Sequence, residues 1–364
     1  MKRIVLAAVV LLLAGYAGFG AMALRERTLR RSGAAHADAA REGLRGAYHV
    51  HTTASDGRGS LAEVVAAVRA AGLDFVVVTD HNVRAPERAE YLDGVLVVPA
   101  TEVSTPYGHV VALGVPRALT REERVRDPLG AIAALGGQAV LAHPFHPRRP
   151  FTGWGRGPWR GFEVVSNDTS WYRVVTDRAA SKVVRAAAAL PFDGAGAVLA
   201  LAADPADELA RFDAEEGAAR GRGEVRVLLC SADAHGYPGY RAAFEAFSMR
   251  VPVRRSGDAE ADARAVTAAL LDGSAACVFD GVAPAARVRL GRPDPETIAL
   301  SLGAPPDPRA RFALLRDGRP AGALAPDADG AAFRCDGRCA PGDYRVEARI
   351  DGRPWIFTNP LRIE

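Results

Sequence analysis

Imidazole and carboxylate side chains recur between residues 49 and 235 at the ends of short apolar runs. His49 and His51 stand two residues apart, so on a strand both imidazoles point the same way and can reach one metal ion. Asp233 and His235 repeat this spacing near the other end of the region. The remaining candidates lie between these pairs, in Ser55-Asp56-Gly57, Thr79-Asp80-His81-Asn82, Glu102, His109 and Ala142-His143-Pro144. Nitrogen and carboxylate ligands without thiolates are typical of Zn²⁺, Mn²⁺ or Fe²⁺ sites.

The elements that must position these side chains follow from an alternation of apolar runs with Ala-rich segments after Tyr48. That alternation is typical of βα units around a parallel sheet. A capping box of Ser60 and Glu63 predicts where the first of these helices begins, and Gly72 predicts its end. Because the carboxyl ends of parallel strands converge on one face of a barrel, the candidate ligands are expected to meet there. The predicted strands are residues 75–79, 95–99, 110–113, 139–142, 162–165, 225–230 and 276–279.

The ordered motifs resemble those of the PHP (polymerase and histidinol phosphatase) family, in its metal-dependent phosphoesterase branch. The resemblance covers about residues 47–283 and includes His-Val-His, Ser-Asp-Gly, Thr-Asp-His-Asn, Thr-Glu with a following Gly-His, Ala-His-Pro and Ser-Ala-Asp-Ala-His-Gly. It implies an α/β fold, a distorted (β/α)7 TIM-like barrel, with two to three divalent metal ions. It implies three ligand groups: His49, His51, Glu102 and Asp233; Glu102, His109 and His143; and Asp56, His81 and His235. Asp80 is expected to orient an imidazole rather than to bind metal.

Adjacent divalent ions lower the pKa of a bridging water and hold the oxygens of a phosphoryl group. The motifs therefore indicate a metal-dependent phosphoesterase that hydrolyses a small phosphate monoester or diester by a metal-activated water in a trinuclear site, with Glu102 and Asp233 essential. In the following loop, Arg148 and Arg149 are candidate phosphate ligands, because Arg makes paired hydrogen bonds to phosphate. His146 is a candidate proton donor to the leaving oxygen. This loop also fits a solvated surface excursion.

Two other functions stay open at this point. The same metal site suits hydrolysis of an amide-type bond, and a barrel that binds few ions suits a non-catalytic binding module of the cell envelope. Nucleic acid is not an expected partner, because residues 1–31 contribute +5 to the chain's net charge of +3, which leaves −2 for residues 32–364.

The N-terminal residues indicate that the protein is targeted to or across a membrane. Residues 4–24 are uncharged, follow Lys2 and Arg3, and are long enough to cross a membrane as a transmembrane helix. Ala21-Met22-Ala23 also fits signal-peptide cleavage, so the chain is expected to be either membrane-anchored or exported, with its catalytic domain outside the cytoplasm.

Composition divides the chain into four parts. We expect a signal peptide or anchor in residues 1–31, a linker in 32–46, the metallohydrolase domain in 47–283 and a small β-sandwich-like domain in 284–364. Residues 193–222 resemble a helical insertion or lid. Cys335 and Cys339 fit either a disulfide or two incidental thiols, whereas Cys230 and Cys277 are expected to be strand-core residues.

Overall fold

The structure is a computed structural model that describes residues 2–39 and 42–364. The helices are α1 Lys2–Ala39, α2 Leu61–Ala70, α3 Arg121–Arg126, α4 Pro128–Ala134, α5 Asn167–Thr176, α6 Ala180–Ala189, α7 Gly194–Leu201, α8 Ala206–Arg220, α9 Tyr240–Ala246 and α10 Ala259–Asp272. The strands up to residue 278 are β1 Leu44–Val50, β2 Phe75–Val78, β3 Glu90–Leu92, β4 Val95–Pro99, β5 Thr101–Thr105, β6 Gly108–Leu113, β7 Gln138–Leu141, β8 Gly161–Ser166, β9 Val227–Ser231, β10 Ser248–Val251 and β11 Ala276–Val278. The later strands are β12 Arg289–Asp294, β13 Thr297–Ser301, β14 Ala310–Arg316, β15 Arg319–Pro326, β16 Gly330–Arg334, β17 Gly342–Ile350, β18 Arg353–Thr358 and β19 Leu361–Ile363.

Helix α2 begins at the predicted capping box. The Glu63 amide donates to Ser60 Oγ over 3.3 Å, and the Glu63 carboxylate accepts from the Ser60 amide over 2.7 Å. The helix ends before Gly72, whose φ of +71° suits glycine. Its valines Val64 and Val68 are buried with the residues of β2 and β4, so this helix fixes the sheet beside the motif loops.

The strands form two sheets. A fourteen-stranded sheet has the order β12-β13-β16-β15-β14-β17-β18-β11-β10-β1-β2-β4-β3, with β19 paired to β17, and a five-stranded sheet has the order β5-β6-β7-β8-β9. Strands β1, β2 and β4 are mutually parallel, as are β7, β8 and β9. His81, His143 and Asp233 follow the carboxyl ends of parallel strands, as predicted, whereas Glu102 and His109 lie within the antiparallel pair of β5 and β6.

The predicted α/β class is confirmed, but the assigned sheets are open and a closed barrel is not confirmed. The ladder between β1 and β2 shifts register between Ala47 and Val50, so the end of β1 does not pair regularly with β2. Single hydrogen bonds connect β1 to the segment after β9: the Ala232 amide donates to Tyr48 O over 2.8 Å, and the His51 amide donates to Ala234 O over 3.0 Å. At the other side, β4 leads into β5 through Ala100.

Four helices, α5 to α8, lie between β8 and β9. The predicted insertion at residues 193–222 is helical, and the helical region begins earlier, at Asn167. The N-terminal helix packs against it, because the rings of Tyr16 and Phe192 lie 5.4 Å apart and Arg27 Nη1 donates to Phe192 O over 3.1 Å. In α1, the segment Val9–Thr28 is long and apolar enough to cross a membrane.

The predicted linker at residues 32–46 is not a loop in the described residues. Helix α1 continues to Ala39, because the Ala-rich composition of this segment favours helix, and β1 begins at Leu44. Residues 40 and 41 of this predicted linker lie outside the described residues.

The C-terminal strands have their own apolar core, around Phe312, Val346 and Trp355. They also continue the large sheet, since Cys277 of β11 lies opposite Phe357 of β18. The large sheet therefore crosses the predicted domain boundary at residue 283, because β11 pairs with β18, and the boundary stays a prediction.

Both cysteine pairs are disulfides. Cys335–Cys339 follows one of the two alternatives left open by the sequence, and Cys230–Cys277 was not predicted. Both residues of the second pair are buried strand residues as expected, and their bond joins β9 to β11.

A buried acidic pair connects α8 to the C-terminal strands. Glu216 Oε1 lies 3.2 Å from Arg362 Nη2, and Arg362 Nε donates to Asp343 Oδ1 over 2.9 Å. Burial, together with the hydrogen bond and charge of Asp343, raises the pKa of Glu216 to about 7. Glu216 therefore binds a proton in the folded protein at pH values where the unfolded chain has released it.

We predict that stability falls as the pH rises from about 4.5 to about 7, because folded Glu216 must lose its proton in that window. Glu216→Gln keeps a hydrogen-bond donor beside Asp343 and removes this titration. Thermal unfolding at pH 5 and pH 8 is expected to show a smaller loss for the variant, by about 2 kcal/mol. Identical pH profiles for the variant and the wild type would contradict the raised pKa of Glu216.

Candidate metal centre

His49 begins the site at an irregular point of β1. Its φ is +66°, a left-handed conformation that residues other than glycine rarely adopt. His143 and Asp233, which follow β7 and β9, also have positive φ values, of +29° and +40°. Strained backbone of this kind is concentrated at functional sites, and here it turns three candidate ligands inward at strand ends.

Glu163 holds two of these residues and was not predicted. It is buried in the middle of β8, where its Oε1 lies 2.6 Å from His49 Nδ1 and its Oε2 accepts from the His143 amide over 2.7 Å. Because Glu163 Oε1 accepts a hydrogen bond from His49 Nδ1, the other ring nitrogen, Nε2, faces the cluster as the candidate ligand atom. The available signal was a lone carboxylate within the apolar strand segment Gly161–Ser166.

The first ligand group closes around the two imidazoles of the His-Val-His motif. His49 Nε2 lies 3.1 Å from His51 Nε2, 3.0 Å from Glu102 Oε2 and 3.7 Å from Asp233 Oδ1. Ligand atoms around a tetrahedral ion with bonds of about 2.1 Å lie about 3.4 Å apart, so these separations fit an ion at the centre. Asp233 Oδ1 is buried and accepts no hydrogen bond, which is the state of an oxygen shaped to bind a cation.

Glu102 connects this group to the second one. Its Oε1 lies 2.8 Å from His109 Nδ1 and 2.9 Å from His143 Nε2, and its Oε2 lies 3.3 Å from His81 Nδ1. The sequence resemblance assigned His109 and His143 to this group, and the structure brings both to Glu102. His81 also reaches Glu102, although it was expected in the third group only.

Asp56 organises the third group at the mouth of the site. Its oxygens lie 3.5 Å from His81 Nε2, 3.5 Å from His235 Nε2 and 3.6 Å from His51 Nδ1. His51 thus faces two groups through its two nitrogens. All nine residues predicted as ligands converge, and three subsets of them have candidate ligand atoms within 4.8 Å of one another.

The Ser-Asp-Gly loop that carries Asp56 is fixed by Asp80. Asp80 accepts hydrogen bonds from the Thr52 amide over 2.8 Å and from Ser55 Oγ over 2.6 Å. It therefore holds the loop and not an imidazole, which differs from the expectation. Gly57 is required in this loop, because a Cβ there would lie 2.4 Å from the carbonyl oxygen of His51.

The buried histidines and carboxylates of the cluster shift one another's pKa values. Burial lowers the pKa of His49, but the charges of Glu163 and Glu102 outweigh burial and raise that pKa well above its usual value. For His143, burial again lowers the pKa, but the hydrogen bond with Glu102 and the charges of Asp233, Glu102 and Glu163 together outweigh burial and raise the pKa to about 9. Burial opposes ionisation of Glu102, yet His49 and His109 hold its pKa well below the usual range. Divalent ions and protons therefore compete for the same ring nitrogens.

The three predicted residues of the loop after His143 stand beside the cluster. His146 is buried, and its Nδ1 accepts from the amides of Arg148 and Arg149, each over 3.1 Å. Its Nε2 therefore carries the hydrogen in the neutral ring and lies 3.3 Å from Asp168 Oδ2. Arg148 and Arg149 are exposed and line the same cavity of about 510 Å³ as the cluster.

Comparisons with known proteins give structural neighbours only. No family model and no curated protein matches the sequence. One similar solved structure is a two-domain protein from Bacteroides vulgatus that contains a predicted PHP-like metal-dependent phosphoesterase. It is 11% identical with a TM-score of 0.39, over 88% of this chain and 96% of that one.

Another similar structure is an amidohydrolase from Chromobacterium violaceum with bound sulfate and no metal. It is 15% identical with a TM-score of 0.31, over 52% of this chain and 87% of that one. With TM-scores this low, the interpretation of the site depends on the residues themselves. The motifs that resemble those of the PHP family bring their His, Asp and Glu side chains together in this structure.

Proposed function

We propose that this chain is a metal-dependent phosphoesterase that hydrolyses a small phosphate monoester or diester. The observation that carries the proposal is the environment of Glu102, a fully buried carboxylate whose two oxygens face five imidazoles. Buried ionisable groups collected in this way are typical of metal and catalytic sites.

We infer that two or three divalent ions, Zn²⁺, Mn²⁺ or Fe²⁺, bind within the three ligand groups. The donor set fits such ions because it has nitrogen and carboxylate ligands, no thiolate and an unsatisfied oxygen on Asp233. When bound, these ions supply an acidified water and positive charge for phosphoryl oxygens. Glu163 contributes by fixing the ring of His49, and Asp80 by fixing the loop of Asp56.

The loop after His143 supplies the groups for the rest of the phosphate. Within residues 42–364 no carboxylate lies within salt-bridge distance of Arg148 or Arg149, so their guanidinium groups are available to an anion. Arg148 is held over the ring of Tyr172, with its guanidinium carbon 4.8 Å from the ring centroid. The Nε2–H of His146 is the group that we assign to the leaving oxygen, as a hydrogen-bond donor.

We further infer the architecture of the catalytic region and its location in the cell. The hydrogen bonds between β1 and residues 232–234, with the direct passage from β4 to β5, support a distorted seven-stranded barrel. Helix α1 is proposed as a membrane anchor or signal segment. Two disulfides favour a location of the catalytic region outside the cytoplasm.

The direct test is elemental analysis of protein purified without added metal, together with a screen of phosphate monoesters, diesters and amides. We expect bound divalent metal and turnover of a phosphate ester. Turnover of amides alone would transfer the site to the amide-hydrolase alternative, and absence of metal would favour the binding module.

Loss of a central ligand is expected to abolish activity. His51→Ala and Asp233→Ala each remove a ligand atom from the first group, so both should lose bound metal and keep less than about 1% of wild-type hydrolysis. Asp351→Ala, in an exposed turn, is the matched control and should keep both properties. Normal turnover in either ligand variant would contradict the assigned roles.

Glu163 gives a finer test, because it touches His49 and not the inferred ions. Glu163→Gln keeps the shape but removes the charge that orients the ring. We expect metal affinity to fall by roughly 10- to 100-fold in a chelator competition titration. Unchanged affinity would show that the orientation of His49 does not depend on this carboxylate.

The arginine pair is expected to act on substrate binding. Arg148→Ala combined with Arg149→Ala should raise KM for a phosphate ester by about tenfold and change metal content little. Arg121→Ala, exposed at the start of α3, is the control. Wild-type KM and kcat in the double variant would instead make this loop a solvated excursion.

A further inference from the structure

The cavity above the metal centre has one wall that the proposed chemistry does not use. This wall, which we call the apolar wall, is formed by α6 and α7. Val183, Ala187 and Leu190 recur at intervals of four and three residues, so they share one helical face. The apolar wall comprises Val183, Ala186, Ala187, Leu190, Ala197, Val198 and Leu201.

The rest of the cavity lining is charged, polar or aromatic, with Trp171, Tyr172 and Tyr237 among its residues. Besides the metal centre, it includes Arg58, Arg148 and Arg149. A cavity of about 510 Å³ holds more than a phosphate group, and lies within the range of pockets that enclose whole small ligands. A purely polar phosphorylated compound would leave the apolar wall in contact with hydroxyl groups, whereas a hydrocarbon chain would cover it.

The apolar wall is continuous with the N-terminal helix. Ala186, Ala189, Ala197 and Leu201 form one buried cluster, and Phe19 of α1 packs against it. Gly20 of α1 lies against the ring of Phe192, the residue between α6 and α7 to which Arg27 and Tyr16 also bind. The helix that is long and apolar enough to cross a membrane therefore docks on the back of the wall that faces the cavity.

We propose that the substrate is an amphiphilic phosphate ester, with its phosphate at the metal centre and its hydrocarbon chain along the apolar wall. This inference rests on the proposed function and names its substrate class. Hydrolysis adds water across the phosphorus–oxygen ester bond: the water oxygen bonds to phosphorus, and the ester oxygen leaves on the hydrocarbon with a proton. Because α1 docks on the back of the apolar wall, we infer that the hydrocarbon chain of a membrane lipid can enter the cavity from the bilayer.

The test uses the full chain in phosphatidylcholine nanodiscs and a series of alkyl phosphates from ethyl to hexyl. We expect kcat/KM to rise roughly two- to fourfold for each added methylene, because each one is buried against the apolar wall. A series that stays flat within about twofold overturns the inference and leaves the proposed function intact. Complete absence of hydrolysis of these alkyl phosphates and of the corresponding phosphate diesters contradicts the proposed function instead.

Binding of the matching alkyl phosphonates, which cannot be hydrolysed, tests the inference without turnover. Calorimetry is expected to give the same dependence on chain length, and equal affinities for ethyl and hexyl phosphonate would overturn it even if the enzyme is active.

Two variants carry the charge of Asp into the apolar wall. Val183→Asp and Ala187→Asp should lower the ratio of hexyl to ethyl binding at least tenfold, and Ala187 is exposed, so its variant is expected to fold. Val184→Asp is the matched control, since Val184 is 68% exposed and outside the cavity lining, and it should keep the wild-type ratio. An equal loss in the control and the wall variants would contradict the assignment.

A last experiment tests whether the hydrocarbon chain of the substrate enters from the bilayer. A phosphate monoester lipid built into the same nanodisc should be hydrolysed faster than the lipid supplied in separate nanodiscs. Equal rates would assign the apolar wall to a dissolved amphiphile and overturn entry from the bilayer.

Discussion

The organisation of this protein depends on one electrostatic constraint, the burial of several carboxylates around the same group of imidazoles. Glu102, Glu163 and Asp233 are each less than 5% exposed. A buried carboxylate is costly unless positive charge or hydrogen-bond donors surround it. The histidines at the surrounding strand ends meet this requirement either by holding protons or by sharing cations, and the same atoms serve for both.

The backbone is distorted where it satisfies that constraint. His49, His143 and Asp233 adopt positive φ values at or just beyond strand ends, where a regular ladder would direct their side chains elsewhere. The register shift of β1 beside His49 accompanies the change from a continuous ladder to single hydrogen bonds toward residues 232–234. The geometry of the site and the open edges of the sheets therefore have a common origin.

Much of the candidate site could be predicted from the sequence, because its residues lie in short motifs directly after apolar strands. The nine predicted ligands do converge, although His51 and His81 face more than one group. Glu163 was missed because a single carboxylate within an apolar strand forms no motif, and its partner His49 is 114 positions away. The Cys230–Cys277 disulfide was not predicted for a similar reason, because a pairing across 47 residues leaves no local sequence pattern. Strand order and barrel closure depend on contacts that a list of strands does not contain.

Anomalous X-ray diffraction from crystals of the protein purified without added metal would show whether the clustered imidazoles and carboxylates hold divalent ions. Data collected across the zinc, manganese and iron edges locate each ion and identify its element. We expect anomalous peaks between His49, His51 and Asp233, and beside Glu102. Ordered side chains in these positions with no anomalous peak between them, after expression in metal-supplemented medium, would contradict this expectation.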